Sequence, residues 1–207
     1  MKQTAHIIAA FACFLAGPAL ASGQEWRSSP ASDILPSTGY VSTTWGPDEG
    51  LPSAETGPIL QDRTGYVWVG TGFGIVRFDG IAFRTYSSAT TPLFRGQQVT
   101  AIHEDARGRI WIGLLSGGLV IYDRGHFSTP AFADTLAYES VHGIFADSAG
   151  NTYLCTSLGT FVERDGKATL LPGLPEQPRA GFTAPDGTVY FTALSLVRYD
   201  AQNDTGV

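Results

Sequence analysis

Three aspartates recur at a fixed distance from a glycine and an aromatic residue: Asp62, Gly65 and Trp68; Asp105, Gly108 and Trp111; Asp147, Gly150 and Tyr153. Repeated carboxylates raise the question of Ca²⁺ loops, which need several oxygen ligands alternating along one short segment. Here each aspartate stands alone in its turn, so the pattern predicts turn capping, with Asp accepting from its own backbone and Gly taking a positive φ. His103, His126 and His142 occupy non-equivalent repeat positions and show no His-x-x-x-His or similar ligand spacing. No serine elbow, phosphate-cradling glycine loop or paired-carboxylate motif is present, and the glycines between Gly70 and Gly74 read as a hairpin turn. Trp68 and Trp111 are suited by type to stacking on a carbohydrate, but both sit mid-strand beside β-branched residues, where aromatics fill a core. These residues therefore predict no catalytic group, no metal site and no cofactor.

The segments that would position any site begin after an apparent export leader. Lys2 gives a positive start, Ile7 to Leu15 is an apolar run, and Ala19-Leu20-Ala21 follows Pro18 as a small–x–small cleavage pattern. The apolar run is shorter than the roughly 20 residues a membrane helix needs. Residues 1–21 are thus read as a signal peptide and 22–39 as a flexible linker, and the exported chain carries no membrane span. Removing Cys13 with the leader leaves Cys155 alone, so no internal disulfide is expected; its place in an apolar strand predicts a small buried side chain. The formal net charge is −6 with both signs interspersed. Nucleic-acid binding needs a basic stripe to neutralise phosphates, and none exists.

A repeat organises the remainder. Four copies run from Asp62 to Phe83, Asp105 to Phe127, Asp147 to Lys167 and Ala184 to Asp200. Their glycines (Gly65, Gly108, Gly150, Gly187) fall 43, 42 and 37 residues apart, and Trp68, Trp111, Tyr153 and Tyr190 keep the same intervals. Each copy reads as four short antiparallel strands, for the second copy Val99 to Glu104, Arg109 to Gly113, Leu119 to Asp123 and a strand from Phe127. No helical period intervenes. A four-stranded sheet of this length cannot bury both faces alone, whereas radial stacking of such sheets does. The fold expected is all-β, a β-propeller built from about four four-stranded blades at about 56–90, 97–132, 139–172 and 178–200, within residues 40–207. A twisted sandwich has no reason to repeat one turn and one aromatic at this interval.

The ends of the repeat leave two geometries open. Residues 40–46 read as a lone outer strand, and Leu196 to Asp200 reads as a third strand with no outer strand after it. The early strand is placed to complete the last blade in a closed four-blade ring; alternatively the copies form an arc of a larger propeller, which repeats of this length favour.

These residues resemble the two-component regulator propeller repeat of bacterial sensor proteins. The resemblance rests on Trp45 and Gly50-Leu51-Pro52, then Asp62-x-x-Gly65-x-x-Trp68-x-Gly70-Thr71, then Gly74-x-x-x-Phe78-Asp79-Gly80, with Asp105, Gly108, Trp111, Gly113, Gly118, Tyr122 and Asp123 repeating it. It covers Trp45 to about Asp200. The third copy departs with Tyr153 and Cys155 in place of Trp and Gly, and the fourth with Ala184 in place of the leading Asp. The resemblance implies a non-catalytic periplasmic sensor or interaction module, ahead of a transmembrane helix and a histidine kinase, diguanylate cyclase or DNA-binding output that this chain lacks. A homodimer of the full-length protein fits that setting. The alternatives are a propeller enzyme such as a lyase, or a plain protein-binding scaffold. Propeller geometry places a ligand, whether small molecule, glycan or protein partner, on the axial face formed by outer-to-inner and second-to-third strand loops. Phe73, Arg95, Gln97, Ser116 and Glu139 are the residues expected there.

Overall fold

The computed structural model describes residues 42–53, 55–95, 97–174, 177–200 and 205–206. The signal peptide and linker read from the sequence, and Tyr40, lie outside the described residues. The chain divides into two compact units, residues 1–43 and 44–207, and every described strand belongs to the second.

Sixteen strands are described. The first sheet holds β1 (Thr56–Gln61), β2 (Val67–Thr71), β3 (Gly74–Phe78) and β4 (Phe83–Ser87). The second holds β5 (Val99–Glu104), β6 (Ile110–Leu114), β7 (Gly118–Asp123) and β8 (His126–Ser128). The third holds β9 (Val141–Ala146), β10 (Thr152–Thr156), β11 (Gly159–Arg164) and β12 (Lys167–Leu170). The fourth holds β13 (Ala180–Thr183), β14 (Val189–Thr192), β15 (Leu196–Asp200) and β16 (Thr205–Gly206). Within each sheet consecutive strands pair antiparallel as a meander. Local chemistry makes this inevitable. The turn glycines Gly65, Gly108, Gly150 and Gly187 all have positive φ, and Arg124-Gly125 and Asp165-Gly166 close two-residue hairpins with positive φ at both positions.

The four sheets stack through their first strands, with β5 packed between β1 and β9, and β9 between β5 and β13. Burial follows from this series. Trp68 joins Val99, Ile110 and Ile112 of the second sheet; Trp111 joins Leu154 and Phe161 of the third; Tyr153 joins Val189, Phe191 and Tyr199 of the fourth. There is one core per joint, not one core per domain, as in other stacked-repeat architectures. β6 and β10, covered on both faces, are buried along their whole length, whereas β2 and β14 alternate.

Glycines set the closeness of the joints. A Cβ on Gly70 would lie 2.8 Å from Val99 Cγ1, and one on Gly113 would lie 2.8 Å from Val141 Cγ1, so the repeat glycine admits the next sheet's first valine. At the third joint Cys155 takes the glycine's place.

Two sequence expectations are corrected. The described part of the expected lone outer strand, residues 42–46, carries no strand; Trp45 instead lies against Phe78 of the first sheet, ring centroids 5.2 Å apart. The fourth sheet also has its own outer strand, since β16 pairs with β15. Among the described residues no helix is long and apolar enough to cross a membrane.

Candidate functional site

The two axial ends of the stack are chemically distinct. At one end lie the Asp-x-x-Gly turns. Asp62 Oδ1 accepts from the backbone N–H groups of Thr64 and Tyr66, while Oδ2 accepts from Trp68 Nε1 at 2.8 Å. Asp105 repeats the arrangement with Arg107, Arg109 and Trp111 Nε1 at 2.9 Å, and Asp147 repeats it with Ala149, Asn151 and the Tyr153 hydroxyl at 3.0 Å. Each aspartate therefore caps its turn and also holds the aromatic six residues later. Burial opposes ionisation of Asp62 and Asp105, but these hydrogen bonds outweigh it and hold both carboxyls below the usual carboxylate range. Burial, then the facing Asp147, pushes the Tyr153 phenol up.

The same end joins neighbouring sheets. Arg63 bonds Glu104 Oε1 through Nε at 2.6 Å and donates to the carbonyls of Asp105 and Ala106. Between the second and third sheets a polar cleft of about 350 Å³ is lined by Asp105, Arg107, Arg109, Asn151, Glu163 and Asp165, among others. Arg109 is tied to Asp105 at 2.6 Å, and Glu163 accepts from the Gly166 N–H.

The residues expected from sequence to bind a ligand lie at the opposite end. Phe73 is exposed in the β2–β3 turn, with its N–H on Thr71 Oγ1. Arg95 ends a short 3₁₀ turn at φ 50°, exposed. Gln97 is half-buried, and its Cγ would stand 3.0 Å from a Cβ on Gly117. Ser116 and Glu139 belong to one hydrogen-bonded run: Ser116 N–H donates to Ser140 Oγ, Ser140 N–H to Ser157 Oγ, and Ser157 Oγ to Glu139 Oε2. Gln97, Ser116 and Glu139 are thus drawn towards the loops of the second sheet, while Phe73 and Arg95 join none of these contacts.

Two features escaped sequence reasoning. One is the aspartate-to-aromatic hydrogen bond, whose signal was the constant six-residue separation. The other is a row of exposed apolar turn tips, since Leu115, Leu158 and Leu194 sit in the turns equivalent to that of Phe73. The three described histidines are not drawn together: His126 is exposed in β8, while His103 and His142 are half-buried in β5 and β9. Burial lowers the pKa of both His103 and His142. Among the described residues no group of three or more His, Cys, Asp or Glu is placed to hold a metal ion. Cys155 is buried, its thiol pushed up to about 12 by burial.

Four-stranded meanders stacked through their first strands make this a β-propeller architecture. Residues 94–115 match the model of the family described as two component regulator propeller. No protein with curated annotation matches the sequence. Among solved structures, it is similar to the extracellular domain described as that of a hybrid two component system of B. thetaiotaomicron. The TM-score is 0.68 at 22% identity, over 80% of this chain and 26% of that one. A second B. thetaiotaomicron extracellular domain, described as that of a one component system, gives 0.60 at 21% identity, over 74% and 22%. A virginiamycin B lyase from Staphylococcus aureus with quinupristin gives 0.57 at 17% identity, over 76% and 56%. At these identities the likeness is one of fold, and the chain spans about a quarter of the two B. thetaiotaomicron domains.

Proposed function

We propose that this chain is part of a periplasmic sensor or interaction module of a bacterial signal-transduction protein, in a two-component or cyclic-di-GMP pathway, with no catalysis of its own. The observation that carries this reading is the repeated Asp–Gly–Trp unit, matched at residues 94–115 by the two component regulator propeller family. The extracellular domains of a two component and a one component system that share the fold support it. The ligand is an unidentified small molecule, a glycan or a protein partner, held on the axial end bearing Phe73, Arg95, Gln97, Ser116 and Glu139. Export by residues 1–21 places that end in the periplasm.

The experiment is to read the gene beyond Val207 and fuse the chain to a reporter active only after export. A transmembrane helix followed by a kinase or GGDEF segment, with an active reporter, supports the reading. An inactive reporter would sink it. The fold likeness to a lyase motivates a second reading as a propeller enzyme, which needs a clustered base; the separated positions of His103, His126 and His142 disfavour it.

A further inference from the structure

The joint between the first and second sheets is tied twice at the end bearing the Asp-x-x-Gly turns. Arg63 lies along the Gly108 turn, its Nε 3.5 Å from where a Cβ on Gly108 would stand, and holds Glu104 and two carbonyls of the second sheet. Arg77 of β3 reaches the Tyr122 hydroxyl of β7 at 3.0 Å. The joint between the second and third sheets has neither tie. Ala106, one residue after its aspartate, stands at the place of Arg63, and Ala146, one residue before its aspartate, stands at that of Glu104. Ile121, across from Trp111, holds the place of Arg77, across from Trp68. Glu163, across from Thr152, holds the place of Tyr122, across from Ile110. Among the described residues no atom comes within 4 Å of a Cβ on Gly150, the counterpart of Gly108. The cleft of about 350 Å³ opens here, with Ala106, Gly150 and Glu163 in its lining.

The missing ties leave charges without partners. Glu163 is only 8% exposed, and among the described residues the Gly166 N–H, on Oε1, is the one donor to its carboxylate. A carboxylate withdrawn from water and given a single N–H is short of donors. Arg107 and Asp165 are exposed in the same lining, and among the described residues neither side chain has a hydrogen bond or an ion pair. Asp105 and Arg109 are tied to each other at 2.6 Å. The cleft thus offers a guanidinium from the second sheet and two carboxylates from the third.

We propose that this cleft binds a small zwitterion, an α-amino acid or a dipeptide, at the opposite end of the stack from Phe73 and Arg95. The ammonium group meets Glu163 and Asp165, supplying the donors Glu163 lacks, and the carboxylate meets the guanidinium of Arg107. The volume falls within the range of small-molecule sites, about 300–1,000 Å³. A neutral sugar would give Glu163 a donor but leave Arg107 and Asp165 without counter-charges, and a simple amine would leave Arg107 unpaired. The site does not depend on where a signalling ligand sits.

Isothermal titration calorimetry on the full chain tests this, with the L-α-amino acids and Ala-Ala at millimolar concentration. At least one is expected to bind, and its N-acetyl and methyl-ester forms, each lacking one charge, are expected to bind at least about tenfold more weakly. Glu163→Gln, which keeps an acceptor for the Gly166 N–H, and Arg107→Gln, at an exposed site, should each weaken binding by at least about tenfold. Ala106→Arg puts back the side chain that plugs the preceding joint and should abolish binding. Circular dichroism checks that each variant is folded, and Arg107→Gln carries the test if a buried change unfolds the chain. The proposal is overturned if no amino acid or dipeptide binds, if the blocked forms bind as well as their parent, if maltose binds equally well, or if binding persists in folded Ala106→Arg.

Discussion

The second and fourth blades carry the same repeat and live in different surroundings. In the second, Asp105 holds Trp111, and Trp111 is buried against the third sheet. In the fourth, Ala184 leaves Tyr190 without an aspartate, and no sheet lies beyond it among the described residues. The aromatic at the repeat position is therefore a core residue only where a neighbour arrives to cover it. The aspartate matters most there too, since burying an indole N–H without an acceptor is costly.

The sharpest test of this contrast is truncation of the two aromatics. Trp111→Ala is expected to lose about 3–5 kcal/mol by opening a cavity in a sealed joint. Tyr190→Ala is expected to lose under about 1 kcal/mol in the same urea titration. Equal losses would break the comparison. Next in size is Asp105→Ala, which strands the Trp111 N–H and the capped turn and is expected to cost about 1–3 kcal/mol.

The acid limb of stability follows from the same carboxylates. Asp62 and Asp105 have folded pKa values below the ordinary aspartate value, so their contribution is fully present above that ordinary value and fades as pH falls through the folded values. Unfolding measured from pH 6 down to pH 2 should show a slope that is reduced in Asp105→Ala. A slope unchanged in that variant would mean other groups dominate.

Cys155 reports on the third joint, being buried beside Val189 and Phe191 with its thiol pushed up to about 12. Thiol labelling of the native chain at pH 8 should be slow and limited by opening of that joint. Phe191→Ala should speed it more than the global loss of stability does, since among the described residues the fourth blade is covered on one side only. The smallest expected effect is a gain. Ala184→Asp restores the acceptor six residues before Tyr190 and should stabilise the fourth turn by about 0.5–1 kcal/mol. No gain, with the turn intact, would show that the aspartate acts only when its aromatic is buried.

Much of this was legible in the chain itself. Val99–Glu104 and Leu119 to Asp123 were readable to within a residue because β-branched runs bounded by Asp and Gly turns leave the backbone little choice. The stretch from Ser42 to Gly46 misled because aromatic and β-branched residues favour a strand only if a partner edge is available, and Trp45 found a ring to pack on instead. β16 gave no signal: two residues, Thr205 and Gly206, become a strand only because β15 offers them an edge. The turn-capping role of the aspartates was readable, and their second bond to the aromatic was latent in the six-residue spacing. The gathering of Ser116 and Glu139 through Ser140 and Ser157 was not, because it joins loops from different sheets.

The sequence alone determined the unit: its turns, its strand lengths and the aromatic each copy sets mid-strand, all governed by interactions within a few residues. The tertiary structure decided which copies of that aromatic are core among the described residues. Burial depends on whether a neighbouring sheet stands opposite, and no local pattern encodes that.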